Sequence, residues 1–152
     1  MLKSVKAKKL SATGSFAIVA SQYNGRYVDS MLRAAKSVLK RAGAKVRVIR
    51  VPGAFEVPAV AAKLAASANP PAAIICFGVI FQGQTSHAQH VGWGVTHALA
   101  QIQVQHKMPV IHGVFVFEKE EHASVRCLGR KHNRGTEAAQ TALVMARICA
   151  DI

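Results

Sequence analysis

The stretch Gly83-Gln84-Thr85 is the part of this 152-residue chain best suited to holding an anion. It is followed by Ser86 and then by a run of helical character. Free backbone N–H groups at such a junction, aided by the helix dipole, make a natural phosphate site, and glycine lets the backbone approach an anion without a Cβ in the way. A plain turn with a Ser/Thr N-cap accounts for the same residues equally well. The loop carries neither a Walker A pattern nor a dinucleotide-binding fingerprint. His87 opens the run that follows, where an imidazole can move protons near neutral pH; a surface or capping histidine is the plainer reading. His87, His90 and His97 could share one helix face. No acidic ligand accompanies them and HExxH is missing, so no metal is expected.

Tyr23 and Phe55 are aromatic residues beside short turns. They could sandwich a flat heterocycle or simply pack their own loops. Glu56 is one of only seven acids. It could accept hydrogen bonds from hydroxyl or amine groups of a ligand, or merely favour a helix N-terminus. Arg126 and Arg134 flank the last loop, where they could clamp a phosphate or be ordinary surface charge. No Ser-His-Asp spacing and no close carboxylate pair is present, and the aromatic and GXXG signatures of RNA-binding modules are missing.

The elements that must position these residues follow from hydrophobic period. SFAIVA (15–20), KVRVIRV (45–51), AAIICFGV (72–79) and PVIHGVFV (109–116) are short apolar or β-branched runs and read as strands. In 25–42, Val28, Met31, Leu32, Ala35, Val38, Leu39 and Ala42 fall on one helix face, with Arg33, Lys36, Lys40 and Arg41 opposite; Gly43 can end that helix in a left-handed cap. Residues 56–67, 87–105, 118–127 and 135–148 read as further helices, the first stopped by Asn69-Pro70-Pro71. Strands alternating with helices predict a parallel sheet covered on both faces, with ligands at the carboxyl ends of the strands. Gln22-Tyr23-Asn24, Pro52 to Glu56 and Phe81 to His87 should therefore converge on one rim. No internal repeat or domain boundary is visible; the expectation is a basic arm over 1–14 and one domain over 15–152.

Composition narrows the class. The apolar share of 51% is that of a globular chain. No apolar run reaches the roughly 18 residues of a membrane span, and MLKSVKAKKLSATG lacks the apolar core of a secretory signal. Cys76, Cys127 and Cys149 form no CxxC pair, which suggests reduced thiols in the cytoplasm. The net charge of +13 favours anionic partners. It is spread over the arm, the first helix and residues 126–134 rather than packed into one tract, so nucleic acid is expected to bind non-specifically if at all.

Four motifs then resemble one family. VPGAFEVP (51–58), GVIFQGQTSHAQHV (78–91), PVIHGV (109–114) and GRKHNRGTEAAQTALVMA (129–146) are similar to lumazine synthases in order and spacing, from about Phe16 to Met145. The resemblance implies a flavodoxin-like α/β sandwich and a transferase of riboflavin biosynthesis. The reaction joins 5-amino-6-(ribitylamino)uracil to 3,4-dihydroxy-2-butanone 4-phosphate, giving 6,7-dimethyl-8-ribityllumazine without cofactor or metal. Tyr23 would stack on the pyrimidine, Ala54, Phe55 and Glu56 would hold the ribityl chain, and Val79, Ile80 and Phe81 would read the ring through their backbone. Gly83, Gln84 and Thr85 would form the phosphate loop, His87 would transfer protons, and Arg126 would bind phosphate, with Arg134 where a lysine is common.

The chain departs from the family's pattern at several points. Gln82 stands where arginine is usual, Ala88-Gln89 replaces an aromatic-acid pair, and His112 replaces a phenylalanine that touches the ring. These departures motivate the competing reading, a shell-forming or flavin-binding protein that has kept the fold without the activity. The resemblance also implies pentamers, and the short loop from Cys127 to Arg134 favours their assembly into a closed shell of sixty chains. The active site would lie between neighbours, with Phe55 and Glu56 of one chain facing His87 and Arg126 of another, or the reverse.

Overall fold

The computed structural model describes residues 11–152, so most of the expected basic arm lies outside the described residues. The order is β1 (Ser15–Ser21), α1 (Gly25–Arg41), β2 (Lys45–Val51), a 3-10 turn (Ala54–Glu56) leading into α2 (Val57–Ala65), β3 (Ala73–Phe81), α3 (His87–His106), β4 (Val110–Phe117), α4 (Glu120–Cys127) and α5 (Arg134–Asp151). The four strands are parallel in the order β2-β1-β3-β4. This is the expected flavodoxin-like α/β arrangement.

Burial explains the strand compositions. β1 and β3 are central and covered on both faces, so their sequences are almost continuously apolar. β2 and β4 are edges and alternate: Lys45, Arg47 and Arg50 on β2 and His112 and Val116 on β4 reach solvent. One face of the sheet packs Phe16, Ile18, Ile75 and Phe77 against α1, α4 and α5. The other packs Ala17, Val19, Ile74 and Cys76 against α2 and α3. Each fully buried side chain of Ile or Phe size stabilises the fold by about 1.5–3 kcal/mol.

The predicted stripe of α1 is the buried one, with Val28, Met31, Ala35, Val38 and Leu39 inside and Arg33, Lys36, Lys40 and Arg41 exposed. Gly43 adopts φ +76 just past the helix end, the left-handed conformation its type suits. Several boundaries moved, among them the start of α4, now Glu120, and the end of α5, now Asp151. The segment read as a helix over 56–67 begins as a 3-10 turn at Ala54 and ends at Ala65, where Ser67 Oγ donates to the Leu64 carbonyl (2.7 Å). β3 runs on to Phe81 because β4 continues to pair with it as far as Phe117.

Asn133 closes the α4–α5 junction. It is buried, its Nδ2 donates to the Cys127 carbonyl (2.7 Å), and its Oδ1 accepts from Gly135 N–H (2.8 Å) as the N-cap of α5. The cap brings α5 so close to α1 that a Cβ on Gly135 would lie 2.0 Å from the Met31 carbonyl oxygen. In the interior of α3, by contrast, a Cβ on Gly94 would make only ordinary contact, 3.6 Å from Phe55. Gly135→Ala should therefore lower unfolding stability by about 3 kcal/mol, whereas Gly94→Ala should raise it by about 0.5–1 kcal/mol. Urea titration at fixed chain concentration measures both; equal midpoints for the two variants would contradict this account of the α1–α5 contact.

Candidate functional site

The β1–β3 ladder closes at Ala20–Phe77, but β3 continues for four residues beyond it, to Phe81. Gln82 N–H donates to the Phe117 carbonyl (2.8 Å), on the β4 side. Peptide groups alternate along a strand, so those of Phe81 and Val79 face the other way, over the end of β1. A notch edged by backbone polar groups that β1 does not pair thus opens where the sheet's winding reverses, which is where ligands bind in such sheets.

Two loops wall this notch. Gln22 and Tyr23 N–H groups both donate to the Pro52 carbonyl at 3.0 Å, tying the β1–α1 loop to the β2 end. Asn24 adopts the left-handed conformation (φ 56) and donates from Nδ2 to the Val79 carbonyl at 2.7 Å. Gly53 N–H donates to Glu56 Oε2 at 2.9 Å. A Cβ on Gly53 would sit 2.8 Å from that carboxylate and 2.9 Å from the Tyr23 ring, so only glycine permits the three to meet. Glu56 thereby serves as a cap and a wall at once.

The resulting cavity has a volume of about 650 Å³ and is lined by Tyr23, Asn24, Gly53, Ala54, Phe55, Glu56, Val79, Ile80, Phe81, His87, His90 and Val91. That size is ordinary for a small-molecule site. Tyr23 and Phe55 are 66% and 64% exposed, aromatic rings largely open to solvent. Phe81 is braced from behind by Tyr27, edge to face at 5.5 Å. The expected convergence of three loops on one rim holds for Tyr23, Ala54, Phe55, Glu56, Val79, Ile80, Phe81 and His87.

Phe55, Glu56 and His87 share this cavity within a single chain. This corrects the expectation that Phe55 and Glu56 face His87 across a subunit boundary. The reason is packing: α3 lies against the 3-10 turn, with Gly94 leaving room for the Phe55 ring.

Gly83, Gln84 and Thr85 form an exposed loop just beyond the lining. Gln82 braces it, its Nε2 donating to the Thr85 carbonyl (2.6 Å) and more weakly to that of Gly83 (3.3 Å). Arg126 and Arg134 lie at the α4–α5 junction, on the sheet face opposite α3. Arg126 donates to the His122 carbonyl (3.1 Å), and Arg134 is paired with Glu137. Both guanidinium groups lower the pKa of the Cys127 thiol, but burial dominates and pushes it up to about 11. Burial likewise takes Cys76 to about 12, so neither thiol is a nucleophile at neutral pH. His112 stands on β4 with Nε2 2.8 Å from Thr96 Oγ1, and desolvation lowers its pKa. It is outside the lining too.

Asn24 and Gly53, expected on the rim, also line the cavity, as do His90 and Val91, which sequence reasoning did not place there. The spacing of His90 from His87 was the available signal. His97 diverges from that pair and lies beside Trp93, with ring centroids 6.3 Å apart. Among the described residues no group of three or more His, Cys, Asp or Glu comes together as a metal site needs, and no helix is long and apolar enough to cross a membrane.

A parallel α/β sheet with an aromatic-walled cleft at its winding reversal defines a small-molecule enzyme of flavodoxin-like architecture. The comparisons then specify which. Residues 13–150 match the family model described as 6,7-dimethyl-8-ribityllumazine synthase. A Stenotrophomonas maltophilia protein of that name is 40% identical over 136 residues, spanning 88% of this chain and 87% of its own. One from Xanthomonas oryzae pv. oryzae is 37% identical over 139 residues, 90% of each. The chain belongs to the 6,7-dimethyl-8-ribityllumazine synthase family, and it carries that family's transferase activity in riboflavin biosynthesis.

Asn24 connects the loop to the strand end, so its replacement should be felt at both. Asn24→Ala loses the bond to Val79 and forces an alanine into the left-handed region, which should cost about 2 kcal/mol together. Asn24→Gly loses only the bond, about 1 kcal/mol. Denaturation of the two variants checks this; alanine no worse than glycine would contradict the conformational part.

Proposed function

We propose that the β1–β3 notch is where the ribitylamino-uracil and the butanone phosphate are held and joined. The observation that carries this reading is the single cavity drawing Tyr23, Phe55, Glu56, the end of β3 and His87 from four separate segments. Tyr23 stacks on the pyrimidine. Val79, Ile80 and Phe81 read the ring edge through peptide groups, and Ala54, Phe55 and Glu56 hold the ribityl chain. Gly83, Gln84 and Thr85 receive the phosphate, and His87, at the start of α3 beside them, moves protons.

The reaction suits so sparse a site. An amine attacks a ketone, water leaves, phosphate is eliminated, and a second amine closes the ring with loss of a second water. Holding both reactants in register supplies about 7–11 kcal/mol of the barrier reduction, with general acid–base help of roughly 10²–10⁴-fold added to it.

Arg126, Arg134 and His112 complete the site from a neighbouring chain. Their place outside the lining supports this, as do the exposed Tyr23 and Phe55 and the open apolar side chains of Trp93 and Val104 on α3. Pentamers, and a closed shell of sixty chains, would cover such surface. A single domain over 15–152 behind a basic arm over 1–14, working in the cytoplasm, completes the proposal; the free thiols of all three cysteines accord with that compartment.

His87→Ala should lower kcat by roughly 10–10³-fold with folding intact. Arg126→Ala should weaken the phosphate substrate by about 1.5–3 kcal/mol. The two inactive chains mixed in equal amounts, unfolded and reassembled should regain roughly a quarter of wild-type sites, because His87 and Arg126 then meet from different chains by chance. Absence of any recovery would place both residues of each site on one chain.

A further inference from the structure

His90 is the cavity group that the roles above leave unused. It sits one helical turn after His87, and both side chains line the same cavity. Its ring is held in place: His90 Nε2 lies 3.1 Å from Ser86 Oγ. Ser86 occupies the N-cap position of α3, where a serine hydroxyl ordinarily accepts from a backbone N–H of the first turn. It makes no such cap here and is turned to the imidazole instead. A helix end has forgone its usual stabilisation, and what is gained is a fixed orientation for a titratable ring.

The neighbourhood sharpens the point. The titratable groups that share the cavity with His90 are Tyr23 from the β1–α1 loop, Glu56 from the 3-10 turn and His87 from its own helix; β3 contributes none. Glu56 is engaged by Gly53 N–H. The residues directly after His87 are Ala88 and Gln89, which offer it no carboxylate. His90 is therefore the second imidazole of this cavity, and among the described residues its ring is engaged by the Ser86 hydroxyl and by no backbone group.

We propose that His90, held by Ser86, is a second acid–base catalyst of this site, acting on the substrates together with His87. This rests on the lumazine-forming reading of the cavity. In the first condensation the amine nitrogen bonds to the ketone carbon. One imidazole takes the proton released from that nitrogen, while the other, as imidazolium, gives its proton to the carbinolamine hydroxyl, which departs as water. The pair ends with its protonation states exchanged and is set for the opposite transfer when phosphate is expelled and the ring closes. A single histidine would have to re-equilibrate with solvent between steps.

The test compares His90→Gln and His90→Ala with the wild type, in both kcat and the pH profile of kcat/KM, with thermal unfolding as a check on folding. Glutamine keeps a hydrogen bond to Ser86 but cannot titrate. Both variants should lose about 10²-fold in kcat, with the KM for the ribitylamino-uracil little changed. The wild-type profile should show an acidic and a basic limb, of which His90→Gln retains one. Added imidazole should restore part of the His90→Ala rate. Wild-type kcat or an unaltered profile in His90→Gln overturns the proposal, even if His90→Ala is inactive or fails to fold, since the ring would then serve only as a hydrogen-bonding strut. A wild-type chain that forms no lumazine from the two substrates overturns the reading of the cavity itself, and this inference with it.

Discussion

Everything at the functional end of this molecule depends on one mismatch of strand lengths. β1 stops pairing with β3 at Ala20–Phe77, while β4 carries β3 on to Phe81. Backbone polar groups in a sheet are normally satisfied by the next strand. Here the strand end is stiffened by a strand from one side only, and its other side faces the β1–α1 loop. Asn24 takes the Val79 carbonyl, which anchors the loop bearing Tyr23. The Pro52 carbonyl receives that loop from the other side and sets it against the Gly53–Glu56 turn. A rigid peptide edge, an aromatic face and a capped carboxylate are thereby positioned before any substrate arrives. That preorganisation is what a reaction governed by proximity requires.

A second constraint is charge. The chain has 20 Lys and Arg against seven acids. Three of the seven, Asp29, Glu137 and Asp151, are already paired, with Arg50, Arg134 and Arg147. The net charge of +13 favours the approach of a phosphate-bearing substrate. Glu56 is the one acid in the cavity lining, and its Oε2 accepts from Gly53 N–H.

Much of this was legible in the residues. The apolar stripe of α1 and the four strand runs located the layers, because burial on one face or two leaves a period of 3.6 or an unbroken apolar string. Parallel topology then placed the odd residues on one rim, and the motif resemblance supplied roles for them. The 3-10 start of α2 was not legible, because its cause is a side-chain bond from Glu56 to a backbone N–H three residues back. The extension of β3 to Phe81 depends on its partner strand and not on its own composition. His90 was visible only as a possible metal ligand: helical spacing aligned it with His87 and His97, and only the packing of α3 beside the 3-10 turn separates the first two from the third. Arg126, Arg134 and His112 lie outside the cavity lining, and their residue types and spacing carried no sign of that separation, because it depends on which face of the sheet each element packs.

The central claim is that the overhanging end of β3 reads the substrate ring. A crystal structure of the protein with the ribitylamino-uracil bound tests it most directly. The account predicts the pyrimidine against Tyr23, its edge hydrogen-bonded to peptide groups of Val79–Phe81 on the side facing away from β4. A ring seated elsewhere, or one leaving the Phe81 N–H without a partner, would contradict it.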